Sequence, residues 1–160
     1  MESESARMTT AIEARFRIND PNSSPRRIKV IGLDQPSQRI VKHLAALTWN
    51  RAKFFSTAAS GNSFQLKGID GQPRDLAEEI DDADLVVMLT SSGENVEAAG
   101  IIGEICDRKH VMTTALVLGS AASNDKALSK TLAQLRPHAL MVVISGAEEY
   151  IEDMLTALRA

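Results

Sequence analysis

The run Asp84-Leu85-Val86-Val87-Met88-Leu89-Thr90 constrains this chain more than any other stretch. A strand with one face on a core alternates apolar and polar residues. This one is apolar on both faces, so it belongs inside a sheet covered by helices on each side. The neighbouring segments agree. Ile28–Gly32, 111–118 and 139–144 read as further strands, and 37–49, 94–107, 125–135 and 148–158 place apolar residues at helical spacing, with Pro137 closing the third of these helices. Shorter strand signals at 52–57 and 63–66 flank a turn at 59–62, and a helical turn covers 75–80. Strands alternating with helices through short loops predict an α/β domain: a single doubly wound, mostly parallel sheet with helices on both faces, Rossmann-like in architecture.

A chain of 160 residues suits one domain, which at this size hides about two-thirds of its unfolded surface without staples. We divide it into residues 1–25, a tail or short helix plus linker, and residues 26–160, the α/β domain. Met8, Ile12 and Phe16 recur every four residues, enough for one apolar stripe, before Asp20-Pro21-Asn22-Ser23-Ser24-Pro25 breaks regular structure. A docked helix and a partly disordered tail both fit that pattern.

Composition excludes several function classes. Nothing is long and apolar enough to cross a bilayer and no secretory signal opens the chain, so a cytoplasmic protein with no membrane partner is expected. The net charge is −3 and the one basic cluster is Arg26, Arg27 and Lys29, which disfavours nucleic acid as a partner. Aromatic residues at 4% leave few stacking platforms for single strands. The single cysteine, Cys106, can form no internal disulfide and is compatible with a reducing cytosol.

Few constellations carry chemistry. Cys106 and His110 straddle a helix end without a second pair, too small a set for structural zinc, so a packed cysteine and a solvated histidine are expected and no metal site is assigned. His43 and His138 have no carboxylate partner or nucleophile at a catalytic spacing, and no catalytic residue is assigned. Ser145-Gly146 follows a strand but lacks the first glycine of a nucleophile elbow, so one of the two is expected to cap the last helix. Gly100 and Gly103 smooth one helix face, for packing on the sheet in preference to a subunit interface.

A ligand of such a sheet sits in the crevice at the carboxyl ends of the strands. Here that rim would be lined by Gly32, Asp34, Gln35, Ser91, Ser92, Gly93, Gly119, Ser120 and Ser145. It is hydroxyl-rich, without a strong acid/base pair or a fixed cation.

Ile28–Gly32, 83–90 and 140–144 resemble successive strands of the FtsZ/tubulin nucleotide-binding domain. The resemblance spans about residues 27–155 and includes Ala98-Ala99-Gly100-Ile101-Ile102-Gly103-Glu104-Ile105, similar to the small-residue helix after that family's glycine-rich phosphate loop. It implies an FtsZ N-terminal-domain-like fold, and the departures from it imply lost chemistry. After the first strand, where the family has a glycine run, this chain reads Gly32-Leu33-Asp34-Gln35-Pro36-Ser37; side chains, a missing N–H at Pro36 and a carboxylate all oppose an anion cradled on backbone amides. At 91–97 one glycine remains, Ser91 and Glu94 have capping-box spacing, and Glu94 and Glu97 bring negative charge to a helix start. The chain also stops soon after the last strand and helix, so the family's long central helix and second domain are not expected, nor are its GTP hydrolysis and filament cycling.

The function expected from the sequence is therefore a non-catalytic, FtsZ-like domain that associates with itself or another protein and carries no cofactor. The alternative is a small-ligand or nucleotide-binding protein, an enzyme included, that takes GTP or another nucleotide in the same crevice.

Overall fold

A computed structural model describes residues 24–60, 63–93, 96–119 and 124–160. The expected apolar stripe at Met8, Ile12 and Phe16 lies outside them. In chain order the elements are β1 (Ile28–Gly32), α1 (Gln35–Ala45), β2 (Lys53–Ser60), β3 (Ser63–Gly68), β4 (Pro73–Arg74), α2 (Leu76–Asp81), β5 (Leu85–Ser91), α3 (Glu97–Lys109), β6 (Met112–Leu118), α4 (Asp125–Leu135), a 3-10 turn (Arg136–His138), β7 (Met141–Ser145) and α5 (Glu148–Ala157). The sheet order is β4-β3-β2-β1-β5-β6-β7. The strands β2, β1, β5, β6 and β7 run parallel, and β3 and β4 return antiparallel at one edge. The fold is thus Rossmann-like α/β with a mixed, mostly parallel sheet, and its parallel part has the flavodoxin-like order.

Period-two alternation sorts the side chains between two cores. Ile28 and Val30 of β1 and Leu85, Val87 and Leu89 of β5 pack with Val41 and Leu44 of α1 and Ile151 and Leu155 of α5. Ile31, Val86 and Met88 point the other way, to Ile80 of α2, Ala99, Ile102 and Cys106 of α3, and Leu135 of α4. The two-sided burial expected of residues 84–90 is what β5 shows, being buried from Leu85 through Thr90. Cys106 is packed as expected, and burial pushes its thiol up to about 12.

Several local expectations need correction. The first helix starts two residues early and stops before Trp49, because Asp34 caps it; Trp49 instead donates from its indole N–H to the Leu44 carbonyl, 2.7 Å away. Helix α3 begins at Glu97 with Val96 as its uncapped N-cap, while Ser91 is the last residue of β5, so no capping box forms at Ser91. The N-cap of α5 is Ala147 rather than Ser145 or Gly146; the Ser145 hydroxyl turns back on the backbone of Ala147. His43 does have a carboxylate partner, Glu148 Oε1, 2.5 Å from its Nδ1. His110, by contrast, is exposed as expected and ends α3 at φ 56°.

The basic cluster is not an open patch. Arg27 binds Asp82 and Asp84 at 2.8 and 3.0 Å, and Lys29, 1% exposed, reaches Glu79 at 3.1 Å. These pairs latch the start of β1 to α2 and the turn after it. Hydrogen bonding from Arg27 holds both aspartates below their ordinary range. Such depressed carboxylates stabilise the fold above the unfolded value near pH 4, and the contribution fades as pH falls through the lower folded value. Arg27→Ala should therefore be less stable than wild type at neutral pH, with the gap closing below about pH 4, as read by urea midpoints across a pH series.

Gly103 packs on the 3-10 turn rather than on the sheet. A Cβ there would lie 2.7 Å from His138 Cβ and 2.8 Å from the His138 carbonyl oxygen, whereas one at Gly100 would sit 3.5 Å from the imidazole. Gly103→Ala should cost about 1–3 kcal/mol through overpacking, and Gly100→Ala should be neutral or gain up to about 1 kcal/mol of helix propensity. Thermal unfolding of the two variants distinguishes them.

Candidate functional site

The parallel order reverses between β1 and β5, which makes the carboxyl ends of those strands the switch point where a ligand of this fold would sit. The chain fills it with its own anion. Asp34 directly follows β1 and Leu33, is 8% exposed, and sends its carboxylate across to the end of β5. Oδ2 accepts from the Ser91 amide at 2.5 Å and from the Thr90 hydroxyl at 2.8 Å. Oδ1 accepts from the Ser37 amide at 2.9 Å, with the hydroxyls of Ser37 and Ser91 at 2.5 and 3.2 Å. Those contacts fill the roughly four lone-pair positions of a carboxylate. In return the Asp34 amide donates to Ser37 Oγ, completing a reciprocal cap of α1.

Other amides around the two loops are also in use. Leu33 donates to the Leu89 carbonyl and Gln38 to the Asp34 carbonyl. In the second loop Ser92 donates to Leu118 O, and Gly93, at φ 89°, donates to Thr131 Oγ1 of α4 at 2.9 Å. Gly32 serves close packing, since a Cβ there would come within 3.0 Å of the Gln38 nitrogen. Of the amides near the switch point, those of Asp34, Ser37, Ser91, Ser92 and Gly93 are taken, while the N-cap of α3, Val96, makes no side-chain cap and residues 94 and 95 lie outside the described ones.

The residues expected along the rim do not form one pocket. Asp34 and Ser91 meet in the buried tie. Ser91 also lines a shallow cavity of about 360 Å³, together with Ser92, Gly119, Ser145, Ile40 and Glu148. Gln35 faces a separate groove of about 390 Å³, beside Arg39, Lys42 and Lys67. Ser120 lies outside the described residues. The Ser92 hydroxyl oxygen is buried with no hydrogen-bond partner. Among the described residues no group of three His, Cys, Asp or Glu side chains could hold a metal ion, and no helix is long and apolar enough to cross a membrane.

Sequence reasoning missed Ser37, Thr90 and Thr131, the hydroxyls that complete the two loops. Asp34 and Ser37 have capping spacing, which could have revealed the first; Thr90, the lone polar residue closing an apolar run, hinted at the second. Thr131 carried no signal, being one more polar position on an amphipathic helix.

No protein-family model matches the chain, and no curated protein does. Among solved structures it is similar to a flavoprotein in complex with FMN from Lactobacillus acidophilus NCFM, at 10% identity and TM-score 0.53, over 82% of this chain and 99% of that one. It also matches an aerotolerance-related membrane protein from Bacteroides fragilis NCTC 9343, at 12% identity and TM-score 0.44, over 81% of this chain and 96% of that one. At such identities the likeness to the flavoprotein establishes the fold alone.

Removing the carboxylate should be expensive for a single side chain. Asp34→Ala loses a helix cap and leaves the Ser91 amide without an acceptor, together about 2–4 kcal/mol. Asp34→Asn, which keeps an acceptor oxygen, should lose less, and the ordering is checked by chemical denaturation.

Proposed function

We propose that this chain is a non-catalytic, FtsZ-like α/β domain of the cytoplasm that works by associating with itself or with another protein, its GTP binding and hydrolysis having been lost. One observation carries the reading: the Asp34 carboxylate occupies the switch point and takes up the Ser37 and Ser91 amides, donors that an incoming phosphate could use. A second anion about 4 Å from that carboxylate would be repelled by about 4 kcal/mol at partly buried dielectric, close to a thousandfold in affinity. With no cation in the tie to offset this, the geometry favours a scaffold over a nucleotide-binding enzyme.

A second reading has its own support. The buried, unpartnered hydroxyl of Ser92 beside Ser91, Ser145 and Gly119 suits a small polar ligand that approaches from the β6 side. Isothermal titration with GTP, GDP, ATP and FMN should give no measurable heat of binding, and sedimentation velocity should show association that grows with concentration. Micromolar binding of any of these nucleotides, with turnover, ends the first reading. A metabolite retained by the purified protein in native mass spectrometry favours the second.

A further inference from the structure

Arg27, Lys29, Arg74, Arg108 and Lys109 each reach a carboxylate. Arg39, Lys42 and Lys67 reach none among the described residues, and all three line one groove of about 390 Å³. The groove follows from where α1 lies on the sheet. Gln35, Gln38, Arg39 and Lys42 recur at i, i+3, i+4 and i+7 and so share one face of that helix. The helix packs on the same side of the sheet as Phe54, and Ser56, two residues further along β2, points that way too. Lys67 is the cross-strand partner of Ser56 and brings a third cation to that side. Gln38 ties the helix to β2 by donating to the Thr57 carbonyl at 2.7 Å.

No aspartate or glutamate lines this groove, although the chain as a whole has a net charge of −3. Asp70, in the loop beside it, is turned to Arg74 at 2.9 Å. Like charges gathered without a counter-charge repel. Lys67 is half-buried, which sharpens the cost of leaving its ammonium unpaired. The surface therefore favours an anion.

The strength and spread of the charges decide which anion. Arg39 and Lys42 are exposed, and exposed ion pairs are individually weak. The three cations are also distributed along a helix and across to a strand, so a compact phosphate meets few of them at once. A chain with several carboxylates meets them in turn, and it gains further contacts with Gln35 and with Ile69, 42% exposed in the same groove. In an extended segment, carboxylates two residues apart lie on one side about 7 Å from each other. Resting on the association reading above, we infer that the groove between α1 and the β2–β3 pair docks an extended acidic segment of a partner protein.

The test is a titration of the full chain, followed by amide NMR, with a hexapeptide of alternating glutamate and leucine. Amide signals across 35–42, at 56 and across 67–71 should shift, and raising salt from about 50 to about 500 mM should weaken binding roughly tenfold. Arg39→Glu, Lys42→Glu and Lys67→Glu should each weaken it about three- to tenfold. Lys130→Glu, exposed on α4 at the other face of the sheet, should leave it unchanged. Silence at these amides, or binding that the three groove variants leave alone, overturns the inference; sedimentation of the chain by itself is untouched by that result and still tests the association reading. Pyrophosphate binding as tightly as the peptide overturns it in favour of a compact anion. A self-association constant moved by Lys42→Glu means that a second copy fills the groove, and groove amides shifted by Glu2→Lys or Glu4→Lys mean that the chain's own acidic start does. Either outcome overturns the assignment to a partner protein.

Discussion

The buried carboxylate of Asp34 is the point at which the two halves of this sheet are tied together. It belongs to the loop after β1, caps α1 through Ser37, and accepts from the backbone and hydroxyls that end β5. A parallel sheet that reverses its winding opens a crevice between those strands, and the polar groups at its mouth need partners whether or not a ligand is present. In a ligand-binding member of such a fold the partner is supplied from solution. Here it is covalently part of the chain, so the helix dipole of α1 and the end of β5 are satisfied continuously.

The opposite end of the central strands is held by charge as well. Lys29 lies in the sheet with its ammonium against Glu79, and Arg27 grips Asp82 and Asp84 around the start of β5. A buried ion pair adds little net stability over an apolar one, but it fixes which groups meet. Ion pairs at one end of β1 and β5 and a hydrogen-bonded carboxylate at the other therefore pin their register, while the apolar layers on the two faces supply the bulk of the driving force.

Much of this was legible in the chain. The two-sided run ending at Thr90 announced a central strand, and the helical stripes after it announced cover on both faces; both are properties of local periodicity, which survives folding unchanged. The crowding of the loop after β1 was legible too, from Leu33, Asp34 and Pro36 standing between the strand and α1. What could not be read was the destination of the Asp34 carboxylate. A capping partner three residues away is a local matter, but Thr90 and Ser91 are more than fifty residues distant and meet Asp34 only because β1 and β5 are neighbours. Likewise the Gly103 contact with His138 joins α3 to a turn whose position depends on β7, so sequence reasoning assigned that glycine to the sheet. The α3 start was misplaced because Ser91 and Glu94 match a capping pattern, and the pattern ignores that Ser91 is already committed to the β5 ladder.

A resident anion also changes what regulation such a domain can have. A ligand that fills a crevice stabilises the fold by an amount set by its concentration relative to its dissociation constant, so structure and ligand supply are coupled. The Asp34 side chain is always at hand, so the contacts it makes with α1 and β5 depend on no outside concentration. On the association reading, control then passes to the surface, where binding follows the concentration of a partner.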